Sequence, residues 1–160
     1  MSSTTVLPRN TKFMLSHQGH RLLQIGVGLF LLTSFEGFVI PSFAAPRLGL
    51  SAHSLMALLG VLLIAMGLVW PRLRLGIGAS RFALWLLIYS SLAIVAAYLL
   101  GATWGAGNST MPLAAGIARG SDFQEAVIRI VAYSSAPTGI VSLALTLWGL
   151  RTGDTRSPSG

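Results

Sequence analysis

Residues 52–70 read AHSLMALLGVLLIAMGLVW, and this stretch decides the fold class because it is long and apolar, with His53 as its one ionisable side chain. As a helix, roughly 20 apolar residues cross the hydrocarbon core of a bilayer. A helix also satisfies its own backbone hydrogen bonds where no water is present. The stretch therefore predicts a membrane-spanning helix that carries a histidine near one end.

The rest of the chain has the same character. Of its 160 residues, 53% are hydrophobic and 9% are charged, and the mean hydropathy is +0.72, values well outside those of soluble domains. Four windows are long and apolar enough to span a membrane: 22–40, 52–70, 82–101 and 123–150. The sequence predicts an all-α integral membrane four-helix bundle over residues 17–151, between disordered tails at 1–16 and 152–160.

The basic residues predict how this bundle is oriented. Connections that remain in the cytoplasm carry an excess of Lys and Arg. The two tails and the second connection hold Arg9, Lys12, Arg21, Arg72, Arg74, Arg81, Arg151 and Arg156, whereas the first and third connections hold Arg47 and Arg119. We therefore expect both termini to be cytoplasmic. The net charge of +7 is then a topology signal and an attraction to lipid head groups, with no nucleic-acid partner.

Polar side chains within the spans lie mainly in the half of the membrane opposite the termini. A rise of about 1.5 Å per residue places Glu36, His53 and Tyr98 at this depth, and the third connection brings Asn108 to the same side. Such groups are costly in a bilayer and usually face a bundle interior or a cavity. We predict the functional site there, with Glu36, Tyr98 and Asn108 as catalytic candidates. The alternative for Glu36 and Tyr98 is an interfacial position.

The fourth span begins with a second group of polar residues. Glu125 and Arg129 are spaced i, i+4, which predicts an ion pair along one helix face. The third connection is expected to cap this helix through Asn108, Ser109 and Thr110. The chain has no cysteine, which excludes disulfides, thiolate metal ligands and cysteine nucleophiles.

His53 is followed along its helix by small side chains: Ala57, Gly60 and Gly67. Two interpretations remain open from the spacing. The strip is either a seam for close helix packing, with the histidine as a hydrogen-bonding group, or a flat surface against which a haem ligated by His53 could lie. In the second case Ser51, Ser54 or a backbone carbonyl would fix the tautomer of the imidazole.

Several segments resemble bacterial hydroxylaminobenzene mutases, which are small integral membrane enzymes. They are GFVIPSFAAPRLGLSAH (37–53), MGLVWPRL (66–73), TWGAGNSTMPLAAG (103–116) and RGSDFQEAV (119–127), and the likeness extends over residues 21–150. This resemblance implies an isomerase of the bacterial cytoplasmic (inner) membrane that rearranges an aryl hydroxylamine, hydroxylaminobenzene, to 2-aminophenol.

A more distant resemblance connects the chain with styrene oxide isomerase, through GHRLL (19–23), AHSLMALLG (52–60) and Tyr98. It implies haem b bound through His53, with Ala57 and Gly60 beside the cofactor, and a homotrimer. The chain departs from that family at Leu59, where an asparagine is expected, and at Ser90, where an aspartate is expected. These departures argue against epoxide isomerisation.

The sequence therefore favours a membrane mutase in which haem iron acts as a Lewis acid. An epoxide isomerase is a related alternative. A small proton-coupled multidrug-type transporter is an alternative of another class, because a lone membrane glutamate, Glu36, would suffice for it. A structural subunit without chemistry is the third possibility.

Overall fold

The computed structural model describes residues 9–151, with side chains from residue 14 onward, and within that range it contains helices and no strands. The long helices are α1 (Arg9–Val39), α2 (Pro46–Val69), α3 (Ile77–Trp104) and α5 (Asp122–Gly149), and a single turn, α4 (Pro112–Ala115), lies in the third connection. All four long helices are long and apolar enough to cross a membrane. The all-α fold of a multi-pass membrane protein is thus confirmed.

Each predicted span corresponds to one long helix; α2 and α3 begin earlier than their spans, at Pro46 and Ile77, and the largest difference is at the start of α1. That helix begins at Arg9, so residues 9–16 belong to it and not to a disordered tail. Leu15 and Gln18 are buried, and this packing extends α1 beyond the apolar window that hydropathy detects. The tail predictions for residues 1–8 and 152–160 lie outside the described residues.

The long helices form two antiparallel pairs. α1 packs along α2, α3 packs along α5, and contacts of α3 with α2 and α1 join the pairs. Within residues 9–151, α5 makes no comparable contact with α1 or α2. The arrangement is therefore an open row of helices in which much of α1, α2 and α5 faces outward.

The α1–α2 pair has a close seam made of glycines. A Cβ atom on Gly26 would lie 2.8 Å from the carbonyl oxygen of Gly60, and one on Gly19 would lie 2.6 Å from that of Gly67. Only glycine allows backbones to approach so closely in a membrane. At the end of this seam nearest the termini, the Trp70 indole Nε1 donates a 2.9 Å hydrogen bond to Oε1 of buried Gln18.

Hydroxyl groups connect α3 and α5. Ser90 Oγ donates to the carbonyl of Ser135 at 2.7 Å, and Ser142 Oγ donates to that of Ala83 at 2.7 Å. Pro137 removes one donor from the backbone ladder of α5. Thr138 Oγ1 donates to the carbonyls of Ser134 and Ser135 in the same turn. The proline is therefore accommodated inside a continuous helix.

Candidate functional site

Glu36 and His53 form the one carboxylate–imidazole contact within 4 Å among the side chains that the structure describes. Oε2 of Glu36, in the last turn of α1, lies 3.0 Å from Nδ1 of His53, in the second turn of α2. The glutamate side chain is 5% exposed and the imidazole 35% exposed. The sequence analysis selected both residues for their depth, and the structure brings them together.

The pair fixes the orientation of the imidazole. When Nδ1–H donates to the carboxylate, the lone pair of the ring lies on Nε2. Gly37 leaves room for the ring, since a Cβ atom there would lie 3.3 Å from Cε1 of His53. Ser51 and Ser54, the predicted orienting groups, instead donate to the backbone carbonyls of Arg47 and Leu50. The expected role of the serines was wrong, and Glu36 occupies that position.

The small strip of α2 is a packing seam. Gly60 and Gly67 are buried against Gly26 and Gly19 of α1, so their face is filled by protein and offers no open surface for a macrocycle. This is the first of the two interpretations that the spacing left open. Ala57 is half-buried and lies one turn beyond His53. The predicted contacts of Ala57 and Gly60 with a cofactor therefore receive no support from an open surface along the strip.

Tyr98 lies on the other side of α2 from Glu36. It lines an open groove of about 420 Å³ together with residues of α2: Leu50, Ser51, Ser54, Leu55 and Leu58. Its hydroxyl has no hydrogen-bond partner among the described side chains, so it is available to a ligand. Within one chain the structure does not bring Tyr98 into contact with the Glu36–His53 pair.

Asn108 is used inside the third connection. Its Nδ2 donates to the carbonyl of Gly116, and its Oδ1 accepts from Nε of Arg119 at 3.2 Å. Both ends of the amide thus hold the loop. The catalytic prediction for Asn108 stays a prediction, and the structure gives this residue a structural position.

Glu125 does not pair with Arg129, and that prediction was wrong. Its Oε1 accepts from the backbone N–H of Gly107 at 2.7 Å and of Gly120 at 3.2 Å, and its Oε2 accepts from Oγ of Ser109 at 2.5 Å and from its N–H at 3.1 Å. The carboxylate therefore gathers two distant parts of the third connection onto the first turn of α5. The N-cap itself is Ser121, in a capping box with Gln124, and not the predicted Asn108, Ser109 or Thr110.

The Glu36–His53 pair leaves Nε2 as one oriented nitrogen donor. Among the described residues, no three His, Cys, Asp or Glu side chains are grouped so as to hold an isolated ion. A histidine whose Nδ1 is held by a carboxylate is the usual arrangement for a metal-ligating imidazole. The second oxygen of Glu36, Oε1, is buried without a hydrogen-bond partner. The pair could therefore supply a single nitrogen ligand.

Two of these relationships had no signal in the sequence. Gly37 resembles any other helical glycine, and Gln18 precedes the predicted span at 22–40. The Glu36–His53 pair had a detectable signal, because Gly26–Gly60 and Gly19–Gly67 are also nearly symmetric about residues 43–45. One antiparallel register accounts for all three pairs.

Comparison with known proteins is consistent with this arrangement. A family model described as styrene oxide isomerase matches residues 18–151. The hydroxylaminobenzene mutase HabB of Ectopseudomonas oleovorans is 45% identical over 136 residues, which cover 85% of this chain and 83% of that protein. The hydroxylaminobenzene mutase HabA of the same organism is 35% identical over 129 residues, covering 81% of this chain and 96% of that one. No solved structure matches the chain.

Proposed function

The chain belongs to the styrene oxide isomerase family, and we propose that this isomerase is a membrane mutase that converts aryl hydroxylamines to 2-aminophenols. The two mutases to which it is similar support the choice of substrate class. The observation that carries the proposal is the oriented imidazole of His53, held by a buried carboxylate at membrane depth. An apolar aryl substrate can reach that depth from the lipid.

The reaction needs no cosubstrate. The N–O bond of the hydroxylamine breaks, a C–O bond forms at the ortho carbon, and that carbon loses a proton while the nitrogen regains one. Atoms and electrons therefore balance within one molecule. The protein must assist departure of the hydroxyl, hold the ring for its return and accept the ring proton.

We propose haem b as the resident cofactor, with Nε2 of His53 as its protein ligand. Haem iron would supply a Lewis acid toward the hydroxylamine. With Nδ1–H on Glu36, the lone pair of the ring would lie on Nε2, and Gly37 leaves room for the ring in that position. Because the glycine strip is filled by α1, the proposal rests on His53 and not on Gly60, and it includes assembly as a homotrimer.

The structure supports the remaining catalytic candidates to different degrees. Tyr98 presents a free hydroxyl in a groove walled by leucines, and it would grip or protonate the migrating oxygen at a site shared between copies. The unpartnered Oε1 of Glu36 is the second candidate for moving a proton. Asn108 is the weakest, since both ends of its amide already hold the loop.

Epoxide isomerisation is the second candidate function, because the matching family model carries that description. The positions at which this chain departs from the expected pattern are used for packing. Ser90 donates to α5, and Leu59 packs against the apolar core. Neither side chain is placed to hold an epoxide oxygen, so we expect styrene oxide to be converted poorly.

Purified protein tests the function directly. Given hydroxylaminobenzene, it should yield 2-aminophenol without nicotinamide, ATP or oxygen, and its visible spectrum should show a Soret band. His53→Ala should lose most of the band and the turnover, whereas Ser34→Ala, at an exposed position on α1, should keep both. An active but colourless wild type would exclude haem. A protein that fails to turn over but exports cations with Glu36 essential and His53 dispensable would be a transporter.

A further inference from the structure

A small polar cavity lies between α1 and α3, at the end of the molecule opposite the Glu36–His53 pair. Its volume is about 170 Å³, and its walls include His17, Gln18 and Arg21 of α1 and Arg81 and Trp85 of α3. His17 and Arg21 are one turn apart, as are Arg81 and Trp85. Each helix therefore contributes an arginine one turn from an aromatic ring on the same face.

Among the described side chains, the two arginines of this cavity have no negative partner. No carboxylate is among its lining residues, and the one contact within 4 Å between a carboxylate and a basic side chain in residues 14–151 is that of Glu36 with His53. Two guanidinium groups that share a cavity repel each other unless an anion lies between them. The positive charge of the cavity is therefore not balanced by any carboxylate among its lining residues.

Gln18 adds a neutral donor to the wall of the cavity. The residue is 5% exposed, and Trp70 Nε1 donates to its Oε1 at 2.9 Å, which fixes the side-chain amide. Its amide nitrogen takes part in none of the hydrogen bonds among the described residues and is left as a donor. An oxyanion in the cavity would accept from this amide as well as from the arginines.

We propose that this cavity binds a phosphate group that carries net negative charge. Arg21 and Arg81 would form charge-assisted hydrogen bonds to its oxygens, and Gln18 would add a neutral donor. Exposed Trp85 suits the level of the head groups in a bilayer. The same chemistry is offered by an anionic phospholipid and by free phosphate. The proposal is independent of the catalytic function.

Lipid retention tests the proposal on the full chain. Wild-type protein in mixed micelles should retain phosphatidylglycerol over phosphatidylcholine when analysed by native mass spectrometry. Arg21→Gln or Arg81→Gln should each reduce this preference about five-fold, and the double variant about thirty-fold. Arg72→Gln is the matched control, because Arg72 is exposed at the same end but does not line the cavity.

Additional measurements in the lipid-retention experiment identify the source of the phosphate and control for misfolded protein. Arg21→Lys with Arg81→Lys keeps the charge and loses bidentate geometry, so its preference should be intermediate. Millimolar inorganic phosphate that displaces phosphatidylglycerol equally from the wild type and from Arg72→Gln would identify free phosphate as a competent ligand. Equal losses in Arg72→Gln and Arg21→Gln, or an unchanged preference in a folded double variant, would overturn the proposal.

Discussion

The orientation of the His53 imidazole depends on two residues near the end of α1. Glu36 accepts a hydrogen bond from Nδ1, and Gly37, which has no side chain, leaves the space that the ring occupies. Both effects act on the orientation of the ring and not on Nε2, the proposed ligand atom. Residues of this kind influence metal affinity and activity by about ten- to a hundred-fold.

Glu36→Gln separates the charge of this residue from its shape. Glutamine can still accept from Nδ1, but without the negative charge it is a weaker partner. We expect turnover of hydroxylaminobenzene to fall about ten-fold or more, with the α-helical content unchanged. The Soret position and the iron midpoint potential should shift as well, a change that a purely structural glutamate would not cause. Ser34→Ala, on the same helix, is the control.

Gly37→Ala moves the ring by steric pressure alone. A Cβ atom 3.3 Å from Cε1 is closer than usual contacts, so the imidazole must shift by a few tenths of an ångström. Turnover should fall by about three- to ten-fold, because catalysis is sensitive to small displacements. Kinetic constants of purified variants provide the measurement. Unchanged kcat and an unchanged Soret band would show that the position of His53 is not critical.

The sequence identified Glu36 and His53 singly because burial of a charge in a bilayer can be read from hydropathy. It could not pair them, since depth alone leaves the facing direction of each side chain open. The seven-residue spacing of Leu15, Leu22 and Leu29 ends at Glu36, and Gly67 and Gly60 lead back at the same spacing to His53. These stripes meet because α1 and α2 are antiparallel.

At the level of helices, hydropathy located four spans because a run of about twenty apolar residues is typical of a membrane-spanning helix. It missed the start of α1, where alternate turns are polar and burial comes from α2 and α3. It also left the glycine strip undecided, since a seam and a ligand surface both require small residues. Only the position of α1 against Gly60 resolves that choice.

Two glycines of α1 provide a matched test of the seam. Gly26→Ala would place a Cβ atom 2.8 Å from the carbonyl oxygen of Gly60, whereas Gly28→Ala meets nothing within 4 Å. The first change should lower the free energy of unfolding by about 1–3 kcal/mol through overpacking. The second should be neutral or stabilising, since alanine favours helix. Thermal unfolding in one detergent measures both. Equal effects would contradict the close α1–α2 contact.

Glu125 provides a test of the third connection. Glu125→Ala would leave the N–H groups of Gly107, Ser109 and Gly120 without their acceptor. We expect amide hydrogen exchange at these positions to quicken by about ten- to a hundred-fold, as one to three kcal/mol of local stability is lost. Asp122→Asn, an exposed acid in the same turn, should leave exchange unchanged. Similar exchange in both variants would show that the carboxylate does not hold the loop.

For the whole molecule, the open row of helices explains why the predicted site is divided within one chain. The Glu36–His53 pair lies at the α1–α2 side, and Tyr98 lies in the groove between α2 and α3. A site that uses all three residues would draw on a second copy, as in the proposed homotrimer.

The orientation of the protein in the membrane decides which leaflet contacts each site. The turns after α2 and α5 and the start of α3 lie at one end of the antiparallel row, with Arg72, Arg74, Arg81 and Arg151, and the excess of positive charge should keep this end cytoplasmic. Reporters fused after Arg151 or within residues 72–80 should score cytoplasmic, and reporters within 105–120 should score external. Anionic lipids of the cytoplasmic leaflet would then contact the cavity lined by Arg21 and Arg81, while the Glu36–His53 pair would lie in the outer half of the membrane. The opposite scores would reverse both assignments.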